Sequence, residues 1–232
     1  MSTSKFCFYL AGGAVIASSL VSAAISPPAQ ADVIYTLATF TGSGSPPAGP
    51  YGTVDLHQNG PNVDVTVTLS AGEGFTNTGA GATLTWDLTG DPAITITGLN
   101  TTNYTFSHNG TATGNLDGTG SWFYEIDCTD AGCGHGGNSP NPGPLTFTID
   151  NITAADFVIN DKTANGYIFA SDICTQIGAN GHCAGITGDI AASNTPTTPP
   201  IPEPATFSIL GAALLGLAAI ARRPRNSAVA RG

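Results

Sequence analysis

The sequence predicts an all-β domain, an antiparallel β-sandwich or jelly-roll-like fold, with one further helix at each end of the chain. Three observations support this: short runs of alternating apolar and polar residues, frequent Gly, Pro and Asn between them, and only 9% charged residues. Alternation fits strands with one buried face, and Gly, Pro and Asn favour turns. Many short strands separated by turns are typical of sandwiches and jelly rolls.

The clearest strand prediction is Val63–Leu69, in which every second residue is apolar. With Gly52–His57 and the Asn59-Gly60 turn it predicts a hairpin. Further strands are predicted at 32–40, 83–88, 94–97, 104–109, 121–126, 145–149 and 167–173, and one helical turn near 153–157. Residues 32–191 are therefore expected to form a single β domain.

Residues 1–31 have the pattern of a secretory signal peptide. Lys5 precedes an apolar stretch from Phe6 to about Leu20, and the segment ends in Ala29-Gln30-Ala31. A positive charge, an apolar helix and an A-x-A sequence are the three parts of a cleaved signal. We expect export of the chain and cleavage after Ala31.

A second targeting segment is predicted at residues 201–232, behind a Pro/Thr-rich linker at 192–200. Its Pro202-Glu203-Pro204 sequence precedes an apolar run at about 205–221. A basic cluster follows, formed by Arg222, Arg223 and Arg225. The apolar run is near the lower limit for a membrane-spanning helix, roughly 17–25 residues, and arginines stay on the cytoplasmic side. The pattern predicts a transmembrane helix with the β domain outside the cell.

This C-terminal arrangement resembles the PEP-CTERM sorting domain. The resemblance implies that Pro202, Glu203 and Pro204 are recognised by exosortase, a membrane-embedded protease or transpeptidase with a catalytic cysteine. It also implies that the helix and the arginines are removed with the tail. The protein is then expected at the cell surface or secreted, after transient anchoring in the inner membrane.

Parts of the β domain resemble a group of uncharacterised PEP-CTERM proteins. The similar stretches are 51–58, 75–81, 169–173 and 186–188. The resemblance covers most of residues 48–190 and implies no activity.

The charge distribution excludes nucleic acid as a partner. The segment between the two targeting signals holds fifteen of the sixteen acidic residues and one basic residue, Lys162. Phosphate binding needs clustered Lys and Arg. An acidic exterior with almost no basic side chains is compatible with divalent cations or neutral sugars.

Four cysteines remain once Cys7 leaves with the signal peptide. They are Cys128, Cys133, Cys174 and Cys183. An even number in an exported chain indicates two disulfides. Local pairing, Cys128–Cys133 and Cys174–Cys183, is our choice because each bond closes a Gly-containing loop. The other two pairings and a four-thiolate zinc site are alternatives, although zinc sites favour C-x2-C spacing, which is absent.

Two groups of residues are candidates for ligand binding. Trp122 and Tyr124 share one face of a predicted strand and, if exposed, suit stacking on sugar rings, whereas core packing is the ordinary interpretation. Asp127 and Asp130 carry oxygens of the kind that bind Ca²⁺, whereas polar turn residues are the ordinary interpretation.

Motifs that would indicate catalysis are scarce. The sequence contains no G-x-S-x-G elbow, P-loop or H-E-x-x-H, and nothing places Glu73 and Glu125 together. Asp172 is interpreted as a strand-end residue. We therefore expect no catalytic residues and no cofactor, and a non-enzymatic surface or matrix protein associated with exopolysaccharide or biofilm. The alternatives are a carbohydrate-binding module and a secreted hydrolase.

Overall fold

The computed structural model describes residues 32–78, 82–108, 114–116, 118–159, 166–193 and 195–196. The predicted signal peptide with Ala31, and the sorting segment with its PEP sequence and arginines, lie outside these residues. Within the described ranges, none of the helices is long and apolar enough to cross a membrane.

The described residues form fourteen strands and two short helical turns. The strands are β1 Val33–Phe40, β2 Gly52–Asn59, β3 Asn62–Leu69, β4 Gly74–Phe75, β5 Leu84–Leu88, β6 Ile96–Thr97, β7 Tyr104–His108, β8 Gly114–Leu116, β9 Gly120–Trp122, β10 Tyr124–Cys128, β11 Leu145–Ile149, β12 Phe157–Val158, β13 Tyr167–Cys174 and β14 Thr187–Ser193. The helical turns are α1 Asp130–Cys133 and a 3₁₀ turn at Ala154–Asp156. All strand pairings are antiparallel, which confirms the predicted class.

Twelve of these strands form one continuous sheet, whereas β8 and β9 pair with each other. The strand order is β6-β11-β3-β2-β1-β14-β13-β5-β10-β7, with β12 beside β5 and β4 beside β13. The prediction of a sandwich or jelly roll therefore differs from the structure, which has one curled sheet in place of two packed sheets. Alternation of apolar and polar residues shows only that one face of a strand is buried. A sandwich and a curled sheet both bury one face of each strand, so the sequence pattern does not distinguish them.

The curl of the sheet brings distant strands face to face. Trp86 on β5 stacks on Phe147 on β11 with ring centroids 5.6 Å apart, although five strands separate β5 from β11 in the sheet. The two end strands of the order, β6 and β7, are consecutive along the chain and are joined by residues 98–103. The sheet is consequently almost closed around its core.

The core contains the alternating residues that the sequence predicts. The β2–β3 hairpin pairs from Gly52 opposite Leu69 to Asn59 opposite Asn62, as expected for a turn at Asn59-Gly60. The apolar residues of β3 are buried, and Trp86 is fully buried. Burial of apolar area at roughly 25 cal/mol per Å² makes this interior the main source of stability.

Strand directions define two poles of the domain. Val33 begins β1 and Ser193 ends the adjacent antiparallel β14, so both chain ends leave the sheet at one pole, here called the tail pole. The opposite end carries the C-terminal ends of β10 and β13, at Cys128 and Cys174. We call that end the disulfide pole.

The last strand extends into the predicted linker. Ser193 pairs with Tyr167, and Ala192 is fully buried opposite Phe169. The β domain therefore continues to Ser193 and does not end at residue 191. The sequence of β14 contains little apolar alternation. Its strand conformation therefore depends on hydrogen bonding to β1 and β13, which lie on either side of it.

Candidate functional site

The polypeptide that leads to the sorting segment starts from an inner strand. β14 is paired on one side with β1 and on the other with β13, and it ends at Ser193. Eight residues lie between Ser193 and Pro202. At no more than about 3.6 Å per residue, Pro202 stays within roughly 30 Å of the end of β14. The tail pole is thus the end of the domain from which the chain continues toward the sorting motif.

A small electrostatic cluster surrounds the start of the β domain at the same pole. The Asp32 carboxylate pairs with Nδ1 of His57 on β2 at 2.5 Å, and both side chains are partly exposed. The hydrogen bond to Asp32 is the largest influence on His57 and raises its pKa. Asp64 and Asp55 add to the rise. If the signal is cleaved after Ala31, the new N-terminus lies beside this cluster.

Each of the two cysteine loops at the disulfide pole is closed by its own disulfide. Cys128 pairs with Cys133 and Cys174 with Cys183, with Cα atoms 5.5 and 5.7 Å apart. This confirms the predicted local pairing. The four-thiolate zinc alternative is wrong, because all four sulfur atoms are bonded in disulfides.

The two cysteine loops pack against each other at this pole. The Cys183 N–H donates to the Gly137 carbonyl at 2.9 Å, and the His182 ring contacts the Asn138 carbonyl. Asn77 forms an isolated bridge with His135. Loops that are far apart in sequence therefore form one surface, which lies opposite the chain ends.

The predicted calcium candidates face different environments. Asp130 is exposed and pairs with Nε2 of His135 at 2.6 Å. Asp127 lies on β10 opposite Thr105, and burial, followed by the charge of Glu125, raises its pKa to about 6. Among the residues that the structure describes, no group of three or more His, Cys, Asp or Glu is close enough to hold a metal ion. Asp127 and Asp130 therefore do not form a shared calcium site among the described residues.

The proposed sugar-stacking pair is buried, so that prediction is wrong and core packing is confirmed. Tyr124 is fully buried, stacks on Trp86 at 5.7 Å and donates its hydroxyl to the Pro92 carbonyl at 2.5 Å. Trp122 is 1% exposed and belongs to a second cluster, which covers the outer face of β13 and β14. The chain bends at Phe123, whose N–H donates to Asp87 Oδ1 at 2.7 Å. This bend breaks the alternation on which the prediction relied.

Two shallow clefts occur among the residues that the structure describes. One of about 290 Å³ lies at the seam between β6 and β7 and is lined by Ile96, Gly98, Leu99, Thr101, Tyr104, Thr105 and Phe106. The other, of about 310 Å³, includes Asp87 and Asp91 in its lining. An oxygen of Asp87 already accepts the Phe123 N–H, which gives this carboxylate a structural task.

A buried polar cluster on the outer face of the sheet was not anticipated from the sequence. Asp172 on β13 and Asp189 on β14 lie directly opposite each other and are 0% and 5% exposed. Asp172 Oδ2 accepts the Thr78 N–H at 2.6 Å and the Thr78 hydroxyl at 2.7 Å. Burial raises the pKa of Asp172, and the hydroxyls of Thr78 and Thr76 act in the opposite direction. Asp172 is thus an interior strand residue, and its interpretation as a strand-end residue is wrong.

Glu73, at the disulfide pole, is the other strongly perturbed carboxyl. It is 8% exposed, its Oε2 atom has no hydrogen-bond partner, and burial raises its pKa to about 7. Its charge contributes to the raised pKa of Tyr51, after the larger effect of burial. Burial of this side chain next to Gly74 makes it a pH-sensitive position in the folded domain.

The described residues form a disulfide-bonded antiparallel β domain, and the chain continues from the end of β14 toward a C-terminal sorting segment. Residues 200–225 match the PEP-CTERM protein-sorting motif, so the protein carries a PEP-CTERM sorting signal. The motif implies export to the cell surface by way of exosortase. Neither curated proteins nor solved structures give a match to this chain.

Proposed function

We propose that the protein is a non-enzymatic component of the cell surface or extracellular matrix, processed by exosortase and associated with exopolysaccharide in a biofilm. The observation that carries the proposal is the PEP-CTERM motif at residues 200–225. A chain whose most distinctive motif is a recognition sequence for another enzyme is suited to being delivered and displayed.

The positions of the chain ends support display of the domain. Val33 and Ser193 lie at the tail pole, so a chain held through residues 201–232 is held from that end. The disulfide pole then faces away from the membrane. Each of its two cysteine loops is closed by a disulfide, and a backbone hydrogen bond from Cys183 to Gly137 joins the two loops. Disulfides of this kind persist in an oxidising exterior.

The structural tasks of the polar side chains support a role without catalysis. Asp87 accepts from the backbone at Phe123, and the Tyr124 hydroxyl donates to the backbone at Pro92. Asp130 pairs with His135 on the surface. The hydrolase alternative needs two carboxylates that converge in a cleft, and the carbohydrate-binding alternative needs a surface other than Trp122 and Tyr124.

Fractionation of an exosortase-bearing host tests the proposal. We expect the wild-type protein in the extracellular matrix fraction and in the fraction that co-sediments with the host's exopolysaccharide. Glu203→Ala should keep the chain in the inner membrane, because it removes the acidic residue of the PEP sequence. Thr198→Ala, in the linker, is the matched control and should behave as wild type.

Two results would count against the proposal. An unchanged matrix fraction for Glu203→Ala would show that delivery does not use the PEP sequence. Hydrolysis of the host polysaccharide by the purified protein would favour the hydrolase alternative. If processing proceeds but the protein does not sediment with polysaccharide, the association with exopolysaccharide is wrong while the sorting role stands.

A further inference from the structure

A buried carboxyl group lies in the turn that joins β3 to β4. Glu73 follows Gly72, which has left-handed backbone, and the Glu73 N–H donates to the Ser70 carbonyl at 3.1 Å. The Glu73 side chain is 8% exposed, and its Oε2 atom is buried without a hydrogen-bond partner. The residues that the structure describes include no Lys or Arg to compensate its charge. The closed turn therefore favours the neutral carboxyl group, because a buried charge without water or a counter-ion is costly.

Both neighbours of Glu73 along the chain are fixed to the second cysteine loop, residues 174–183. The Ile177 N–H donates to the Gly72 carbonyl at 2.6 Å, and Gly74 pairs with the end of β13 through β4. The packing around Gly74 is close, since a Cβ atom there would lie 2.8 Å from a side-chain atom of Ile177. A movement of the turn that brings the Glu73 carboxyl group into water therefore disturbs the contacts that hold this loop.

Burial is the main influence on the protonation of this carboxyl group. It raises the pKa of Glu73, and a hydrogen bond from the Ser70 backbone acts in the opposite direction. Tyr51, which precedes β2, is a titratable neighbour: the Glu73 charge adds to the rise in its pKa, and its hydroxyl already donates to a backbone carbonyl. His182, the titratable side chain of the second cysteine loop, contacts the Asn138 carbonyl. The protonation of Glu73 thus depends chiefly on whether the turn is closed or open to water.

We propose that protonated Glu73 holds the second cysteine loop against the domain and that ionised Glu73 releases it. Ionisation draws the carboxyl group toward water, and the turn opens with it. The hydrogen bond from Ile177 to Gly72 and the β4–β13 pairing are then lost, while the disulfide keeps the loop closed on itself. This loop also bonds to the first one through Cys183 and Gly137, so its release changes the surface of the disulfide pole. The proposal rests neither on exosortase processing nor on exopolysaccharide.

The direction of the effect with pH follows from the raised pKa. Burial raises the pKa of Glu73 from 4.5 to about 7 in the closed turn, whereas an open turn restores the ordinary value of a hydrated carboxyl group. The closed turn is most favoured below pH 4.5, and opening becomes about tenfold more favourable with each pH unit from there to about 7. Above that pH both states are ionised, so the effect levels off.

Hydrogen–deuterium exchange of the purified full-length protein tests the proposal. Exchange is followed by mass spectrometry at about pH 5 and about pH 8, corrected for the intrinsic effect of pH on amide exchange, with the disulfides reduced after quenching. Peptides that cover residues 72–77 and 174–183 should lose protection by about 10–100-fold at the higher pH. Peptides of β3 should stay protected at both values, because the core strands do not open with the turn.

The variant Glu73→Gln keeps the size of the side chain and cannot ionise. We expect it to keep the second cysteine loop protected at both pH values. Glu125→Gln, which replaces the other glutamate of the β domain, is the matched control and should show the wild-type loss of protection.

A second measurement uses the wild-type protein alone. The rate at which a phosphine reductant opens Cys174–Cys183 is compared with the rate for Cys128–Cys133 in the same molecule. The ratio of the two rates should rise by about tenfold or more between the two pH values. This ratio decides the question if Glu73→Gln does not fold.

The proposal is overturned if the wild-type loop is equally protected at both pH values, or if Glu73→Gln folds and still loses protection at the higher pH. An equal loss in β3 and in the loop would show unfolding of the whole domain in place of release of one loop, and would overturn it as well. An unchanged ratio of the two reduction rates would do the same.

Discussion

The stacking of Trp86 on Phe147 provides a direct test of the curled sheet. These rings lie on β5 and β11, with five strands between them in the sheet, yet their centroids are 5.6 Å apart. Trp86 also stacks on Phe106 at 6.2 Å and on Tyr124 at 5.7 Å. Because β5 and β11 belong to one sheet with five strands between them, the sheet must curl for their rings to meet.

A double-mutant cycle with Trp86→Leu and Phe147→Leu measures that contact. Each single substitution removes part of a buried ring and should cost about 1–3 kcal/mol in the free energy of unfolding. The coupling energy should be about 0.5–1.5 kcal/mol, the range for aromatic pairs in contact. Urea unfolding of the four proteins, followed by fluorescence and circular dichroism, gives the values.

The control cycle pairs Trp86→Leu with Phe40→Leu. Phe40 packs on Tyr51 with ring centroids 5.9 Å apart and makes a different contact within the domain. We expect this pair to be additive within about 0.3–0.5 kcal/mol. A coupling between Trp86 and Phe147 no larger than that of the control would refute the curled arrangement.

Three further predictions concern the disulfide pole and the titratable groups. Replacement of Cys174 and Cys183 by serine should lower the free energy of unfolding by about 2–3 kcal/mol, because the loop between residues nine apart is no longer closed covalently. Urea titration measures this change, and an unchanged unfolding midpoint would contradict the prediction. The pKa of Glu73 is raised from 4.5 to about 7, so its burial favours the neutral form, and stability should fall as pH rises from 4.5 through 7. Glu73→Gln should flatten that part of the pH–stability curve, and an identical slope would show another origin. The pKa of His57 is raised by Asp32, so Asp32→Asn should lower the pKa of His57 in an NMR titration. The Asp32–His57 pair should stabilise the fold below the ordinary His pKa, and this stabilisation should be lost as pH rises through the raised pKa.

Much of the fold is predictable because several strands have strong local patterns. β3 alternates apolar and polar residues along its whole length, and the Asn59-Gly60 turn fixes its hairpin with β2. The cysteine pairing follows from short loops in an exported chain. These features are local, so one sequence is sufficient to recognise them.

The unpredicted features depend on contacts between distant parts of the chain. β14 has a sequence of small and polar residues, Thr187-Gly-Asp-Ile-Ala-Ala-Ser193, and becomes a strand through β1 and β13. Without β14, nothing in the sequence places Asp189 opposite Asp172. The burial of Trp122 likewise depends on the bend at Phe123, which Asp87 holds from another strand. Such pairings become visible only with the register of the sheet.

Intact-mass spectrometry of the protein isolated from an exosortase-bearing host tests the central claim most directly. We predict a chain that begins at Asp32, ends near Pro202-Glu203-Pro204 and lacks residues 207–221, with any added mass at its new C-terminus marking covalent attachment. In a strain without exosortase the same chain should retain the tail. A mature protein that retains residues 207–221 in the exosortase-bearing host would contradict the account.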